Sequence, residues 1–187
     1  MESIERRTLV TGRLRLEPVT PGHADELWEA TEASLKELQP WMAWTRDPSP
    51  EHTRQFTEYA VQEWSDGREF VFALVEEGHA IGTIGVHLRN PFTQTAELGY
   101  WVRTDRAGRG LVTEAARAAI AFAFEVVGVH RLTLMAGLDN RPSQRVAEKL
   151  GFRREGSLRH AAWSATDPYD VHIYGLLESD PRPDGSG

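Results

Sequence analysis

The sequence predicts an α/β (α+β) fold, a mixed sheet with helices on its faces. Three observations predict it. Near the N-terminus Leu14 and Leu16 alternate with Arg13, Arg15 and Glu17 at strand period. Two further strand-like runs, residues 70–76 and 81–88, are separated by Glu77-Gly78 and read as a hairpin. A third run, residues 95–102, leads through a glycine-bearing loop into a long Ala-rich helix.

The elements follow in order. The first strand covers residues 11–17 and is closed by Pro21-Gly22. A helix over residues 23–38 places Leu27, Ala30, Ser34 and Leu38 near one face, and Pro40 stops it. Trp41, Met42 and Trp44, followed by Pro48 and Pro50, form an aromatic loop. A second helix over residues 51–65 carries Phe56, Tyr59, Ala60 and Trp64 at helical spacing, so Tyr59 and Trp64 read as core. After the hairpin, Asn90-Pro91 turns the chain into residues 95–102. There Ala96, Leu98, Tyr100 and Val102 share one face, and Glu97, Gly99 and Trp101 the other.

The Ala-rich helix runs from Thr113 to Val127, with Gly128 as its C-terminal stop. A strand over residues 131–135, a short helix over 142–150 ended by Gly151, and strands over 152–161 and 171–177 complete the order β-α-α-β-β-β-α-β-α-β-β. Residues 1–178 make a single domain, and residues 179–187, rich in Pro and Gly without an apolar anchor, make a disordered tail.

Bulk composition narrows the function classes. The 187 residues carry a formal net charge of −7, which argues against nonspecific nucleic-acid binding and suits cationic partners such as amines. Cysteine is absent, which excludes a thiolate nucleophile and a disulfide framework. No secretory h-region and no membrane-length apolar run occurs, so a cytoplasmic location is expected. Monomer and homodimer are equally consistent with this composition.

Two segments carry the chemistry. Gly108, Arg109 and Gly110 sit between a strand and a helix start, where backbone N–H groups and the helix dipole hold phosphate or pyrophosphate. The loop lacks the Gly-Lys-Ser/Thr ending of a nucleotide-binding P-loop. Downstream, Asn140 precedes a helix that Pro142 opens, and Ser143 falls in its first turn. By themselves Asn140 and Ser143 read equally as a cap and a first-turn residue.

Together these segments resemble the GCN5-related N-acetyltransferase (GNAT) superfamily, and within it the Rim-type ribosomal-protein N-terminal acetyltransferases. The residues that carry the resemblance are Glu97-Leu98-Gly99-Tyr100-Trp101-Val102, Gly108-Arg109-Gly110 with Thr113-Glu114-Ala115, and 140–152. It extends from Gly12-Arg13-Leu14-Arg15-Leu16 to Tyr174-Gly175-Leu176-Leu177, and Leu38-Gln39-Pro40-Trp41 with Trp44 looks like that family's early aromatic loop. The resemblance implies a mostly antiparallel sheet with a splayed central strand pair. It implies acetyl-CoA as donor, no metal, and direct attack by a primary amine, most directly a protein N-terminal α-amine. The backbone of Tyr100, Trp101 and Val102 would pair with the pantetheine arm. Ala107, Gly108, Arg109 and Gly110, with the amides of Leu111, Val112 and Thr113, would form the pyrophosphate loop. Asn140 would bond the pantetheine or the region near the thioester, and Ser143 would protonate the departing thiolate.

Two departures from the family pattern matter. Its loop residues fall here on Ala107, Gly110 and Val112, and only the central glycine matches; Arg106 is placed to brace the loop instead of residue 107. A glutamate that some Rim-type enzymes carry after the Gly-Phe falls on Ala162. The general base is then sought at Glu97 first and His160 second, or at no side chain, since an α-amine titrates near ~8. Trp41, Trp44 and Tyr169 are expected to line the acceptor groove, with Asp170 and Tyr174 shaping its far side, and Glu97 is equally placed to attract a cationic amine. Acetylation of a small amine or antibiotic, and a non-catalytic acyl-CoA-binding module, are the alternatives.

Overall fold

The chain enters its sheet through a hairpin, not through a single strand over residues 11–17. Strands β1 (Leu9–Val10) and β2 (Arg15–Pro18) run antiparallel, and the Thr11 N–H closes the turn on the Leu14 carbonyl at 2.9 Å. The alternation still holds, because Leu14 and Leu16 are buried and Arg15 between them is exposed. This computed structural model describes residues 4–90 and 92–182.

The helix expected over residues 23–38 is two helices, α1 (Ala24–Glu32) and α2 (Leu35–Leu38). Ser34 lies at the break. Its buried hydroxyl accepts the Thr104 N–H at 2.9 Å, a tertiary bond that competes with continuing the local ladder. Beyond the aromatic loop, Ser49 caps α3 (Pro50–Ser65) by accepting the His52 N–H at 3.1 Å. Trp64 of this helix is core, whereas Tyr59, expected to be core, is half exposed.

Strands β3 (Glu69–Glu76) and β4 (His79–Asn90) form the expected hairpin. Glu77 and Gly78 both take positive φ, 52° and 86°, which suits the right-handed twist of the flanking strands. Strand β3 is apolar on both faces: Phe70, Phe72 and Leu74 join one core cluster, and Val71, Ala73 and Val75 the other. Trp64 meets Phe72 edge-on with centroids 5.0 Å apart, and Phe72 meets Phe122 at 5.2 Å. Asn90 ends β4; Pro91, expected to turn the chain with it, lies outside the described residues. Strand β5 (Thr95–Val102) follows, with Ala96 and Leu98 on the core face as the alternation predicts.

Helix α4 (Leu111–Phe122) packs through Ala115, Ala116 and Ala119, whose small side chains are fully buried and bring its backbone close to the sheet. Its continuation, Ala123–Val127, is π-helical where an α-helix was expected, and it ends at Gly128 in the left-handed region (φ 76°). Strand β6 (Arg131–Gly137), helix α5 (Arg141–Lys149), and strands β7 (Arg153–Trp163) and β8 (Pro168–Leu177) complete the fold. The last two strands run longer than their patterns predict. Part of the expected tail is held: the Asp180 carboxylate accepts the Leu177 N–H at 3.0 Å and pairs with Arg153 at 3.1 Å. Residues 183–187 lie outside the described residues.

The sheet has eight strands in the order β1-β2-β3-β4-β5-β6-β8-β7. Every neighbouring pair is antiparallel except β5 and β6. That parallel pair is short, matching Thr95, Ala96 and Glu97 with Arg131, Leu132 and Thr133. Beyond it the strands part. Strand β5 stays with β4 as far as Val102 opposite Gly82, and β6 stays with β8 as far as Gly137 opposite Val171. The buried Gln144 amide of α5 donates to the Gly137 and Leu138 carbonyls at 2.8 and 2.9 Å, tying the free end of β6 to its helix.

Phe72→Ala is expected to destabilise the fold by about 3–5 kcal/mol in chemical denaturation, because it opens a cavity among stacked rings. Val10→Ala, at a side chain 75% exposed, should change stability by less than about 0.5 kcal/mol.

Candidate active site

A cleft of about 480 Å³ opens where β5 and β6 part. Its wall includes Leu98, Gly99, Tyr100 and Trp101 of β5, and Leu134 to Gly137 of β6. Residues along β5 alternate between the two faces of the sheet, so the gap joins both faces. Backbone groups of β5 that would have paired with β6 need another partner there, water or an extended ligand.

On one face the gap meets the start of α5. Asn140 is the N-cap, and its Oδ1 accepts the Ser143 N–H at 3.2 Å. The cap uses the oxygen of the amide and leaves its NH₂ to donate. The Ser143 and Tyr100 hydroxyls lie 2.9 Å apart. Burial pushes the Tyr100 pKa up to about 12, against the opposing effect of Ser143, so the phenol stays protonated.

The glycine loop runs from the same strand. Gly110 caps α4 in the left-handed region (φ 79°), a conformation that costs a residue with Cβ. The first helical bond runs from the Glu114 N–H to the Gly110 carbonyl at 3.0 Å, so the amides of Leu111, Val112 and Thr113 precede the ladder and are open to an anion. Side chains hold the loop from two sides. Glu76 at the end of β3 pairs with Arg106 and with Arg109, both at 3.3 Å. Arg106 thus braces the loop beside Ala107. From the other side, Arg13 in the β1–β2 turn donates to the Arg109 carbonyl at 2.8 Å and pairs with Glu114 at 2.7 Å. Burial alone would raise the Glu114 pKa. Bonds from the Thr11 hydroxyl at 2.6 Å, the Arg13 N–H at 2.7 Å and the Arg13 guanidinium outweigh it and hold the carboxyl below the usual range.

The other face is aromatic and acidic. Trp41, Trp44, Tyr169 and Glu97 all line the cleft. The Tyr169 hydroxyl donates to the Trp41 carbonyl at 2.8 Å and the two rings meet edge-on; Trp44 leans on Trp101 with centroids 5.7 Å apart. Burial raises the Tyr169 pKa. Glu97 points into the cleft with Oε2 accepting from Arg89 at 3.0 Å. Ala162 is also on the cleft wall.

Three expected residues fall elsewhere. His160 is exposed on a bulge of β7 (φ 48°), its N–H bonded to Asp170 at 2.9 Å, and neither it nor Asp170 reaches the cleft. The bulge between Leu158 and Ala162 rotates that stretch away from the pleat its numbering implies. Tyr174 is buried in the main core, only 2% exposed. The sequence reading missed His87, which also lines the cleft, and the Arg13–Glu114 clamp. Hairpin register was the available signal for the first, since it sets His87 opposite Glu97. The second joins residues a hundred positions apart and had no local signal.

Residues 13–153 match the family profile described as Acetyltransferase (GNAT) domain. The chain is similar to the ribosomal-protein-serine acetyltransferase of Escherichia coli (strain K12), 29% identical over 170 residues that cover 90% of this chain and 94% of that protein. Among solved structures it is similar to Mycobacterium smegmatis RimJ in complex with CoA-disulfide, with TM-score 0.86 and 23% identity over 95% of this chain and 90% of that one. The RimL ribosomal L7/L12 α-N-protein acetyltransferase in complex with coenzyme A gives the same TM-score, 0.86, at 21% identity over 91% and 98%. At such identities the two structures establish the fold.

The loop clamp has a pH signature. A carboxyl whose folded pKa is depressed contributes stability that is present above the ordinary carboxylate pKa and is lost as pH falls through the folded value. Thermal unfolding midpoints measured from pH 7 to pH 3 should therefore fall less steeply in Glu114→Gln than in the wild-type chain.

Proposed function

The chain belongs to the GNAT acetyltransferase family, and from that premise we propose that it moves an acetyl group from acetyl-CoA to the N-terminal α-amine of a ribosomal protein. The observation that carries this reading is the gap between β5 and β6, which lets a donor on one face of the sheet meet an acceptor on the other. On the donor face the unladdered edge of β5, from Leu98 through Tyr100 to Val102, offers backbone partners to an extended pantetheine arm. The amides at the start of α4 would take the pyrophosphate, and the Asn140 NH₂ would donate near the thioester. Tolerance of Val112 follows from the backbone nature of these contacts.

On the acceptor face Trp41, Trp44 and Tyr169 wall a groove that admits a peptide end, and Glu97 attracts its ammonium group. The neutral amine attacks the thioester carbonyl, the nitrogen of the tetrahedral intermediate sheds its surplus proton to water, and the intermediate collapses with cleavage of the C–S bond. The electron pair leaves on sulfur, Ser143 supplies its proton, and the serine regains one from water. Tyr100 acts through Ser143 as a positioning residue, holding the serine oxygen at 2.9 Å. An α-amine, with pKa near ~8, reaches its neutral form far more readily near pH 7 than a lysine amine near ~10.4. The relative named a ribosomal-protein-serine acetyltransferase, aligned over 94% of its length, supports the acceptor class. A ribosomal acceptor places the reaction in the cytoplasm, and among the described residues no helix is long and apolar enough to cross a membrane.

Free-thiol release from acetyl-CoA, measured against N-terminal peptides, lysine peptides, polyamines and aminoglycosides, tests the reading. N-terminal peptides should be the strongest acceptors. Ser143→Ala should lower kcat by about 10²-fold while calorimetric affinity for acetyl-CoA stays within about twofold. Binding of acetyl-CoA without thiol release for any amine would replace this reading with an acyl-CoA-binding module.

A further inference from the structure

We infer that His87, oriented by Glu69, is the general base that takes the proton from the acceptor ammonium group. This assignment rests on the acetyltransferase reading and supplies what that reading lacks, since Ala162 stands where some Rim-type enzymes carry a carboxylate and His160 lies outside the cleft.

The geometry begins behind the ring. His87 Nδ1 lies 3.0 Å from Glu69 Oε2, across the β3–β4 ladder that pairs the two residues. The histidine lowers the Glu69 pKa by hydrogen bond and by charge, burial opposes it, and Arg89 and the Tyr59 hydroxyl add in the same direction as His87. An ionised Glu69 accepts only, so Nδ1 of neutral His87 must carry the proton and Nε2 must carry the lone pair. A carboxylate behind Nδ1 also stabilises the imidazolium once Nε2 is protonated.

The front of the ring is cleared by two glycines. A Cβ on Gly85 would stand 2.5 Å from His87 Nε2, and one on Gly99 would stand 3.4 Å from it. Gly85 and Gly99 are directly paired across β4 and β5. Nε2 therefore lies over Gly85 of β4 and beside Gly99 of β5, the strand whose other edge opens at Leu98, on the acceptor face that it shares with Glu97 and Trp101. Among the described residues Nε2 has no hydrogen-bond partner.

Other groups around it divide the work. Arg89 of the same strand engages Glu97 of β5 at 3.0 Å. Glu69 comes from β3, and α3 contributes Tyr59 behind Glu69 and His52 on the cleft wall, the latter with Nδ1 2.6 Å from the Asp47 carbonyl. Glu97 supplies fixed negative charge to hold the ammonium, already matched to a cation. Glu97 is already engaged by Arg89, whereas Nε2 of His87 offers its lone pair, so the imidazole is the acceptor for the proton of an α-ammonium. In the step itself the ammonium N–H bond breaks, its electron pair stays on nitrogen, and Nε2–H forms. The freed pair then attacks the carbonyl, and His87 later gives its proton to water.

The test is the pH dependence of kcat/KM for the best N-terminal peptide, between about pH 5.5 and 9.5, in the wild-type chain and in His87→Gln, Glu69→Gln and Glu97→Gln. His87→Gln should lose about 10²-fold at pH 7 and replace the wild-type acidic limb with one set by the peptide's own α-amine, near ~8, its rate then following the neutral fraction of the peptide alone, with acetyl-CoA affinity unchanged by calorimetry. Glu69→Gln should displace the limb without abolishing it, and Glu97→Gln should keep the limb and raise the peptide KM. Gly85→Ala, which keeps the imidazole and fills its place, should reproduce the His87→Gln loss in a chain that still binds acetyl-CoA. Retention of the wild-type limb in His87→Gln, or its loss in Glu97→Gln alone, overturns the assignment while leaving the acetyltransferase intact. No thiol release from the wild-type chain with any amine overturns the acetyltransferase reading and this assignment with it.

Discussion

Three residue pairs of parallel ladder, Thr95–Glu97 with Arg131–Thr133, are what the site depends on. Had the ladder continued, Leu98–Val102 would have been sealed against Leu134–Gly137 and no passage between the faces of the sheet would exist. Each strand is held to its own outer neighbour along its full length, so the sheet behaves as two half-sheets that share a short hinge of hydrogen bonds. Gln144 makes the divergence affordable by satisfying carbonyls at the end of β6 that the missing ladder leaves bare.

Electrostatic restraint shapes the phosphate loop in the same spirit. Backbone amides bind an anion well only if the loop keeps its curvature with no anion there. Glu76 and Arg13 grip it from β3 and from the N-terminal turn. Glu76 and Glu114 neutralise arginines of the loop region, so in the proposed reading the positive end of the α4 dipole and the open amides, more than net cationic charge, would draw phosphate to the loop. An acidic chain of net charge −7 can then hold a polyanionic donor on one face and attract a cationic acceptor on the other.

The division of labour between the two faces follows from strand alternation. Tyr100 and Ser143 meet on the face of α5, where a protonated, buried phenol fixes a hydroxyl. Glu97, Gly99 and Trp101 look the other way, toward the aromatic loop and His87. In the proposed reading one strand thus presents leaving-group chemistry to one side and amine chemistry to the other, and the gap beside it is where the two would meet.

Local physics made much of this legible from residues alone. Glu77-Gly78 demanded a hairpin, Gly128 a helix stop, and Asn140 with Pro142 a capped helix, because each depends on backbone preferences within a few positions. The alternation over residues 95–102 assigned both faces of β5, and the glycines after that strand marked the loop that opens α4. Contacts between distant segments had no such signature. Ser34 broke a helix because its hydroxyl serves Thr104; residues 11–14 became a turn because Glu114, a hundred positions on, binds there; a bulge in β7 carried His160 out of reach. His87 was missed because its surroundings follow only from strand register: Glu69 on the preceding strand stands beside it, and two glycines paired across a ladder lie under its ring. The sequence by itself determined most of the elements and which residues of β5 share a face, since those follow from periodicity and capping. Only the tertiary structure decided where a ladder stops and which side chain stands behind a given imidazole, since those depend on register and on packing between segments far apart in the chain.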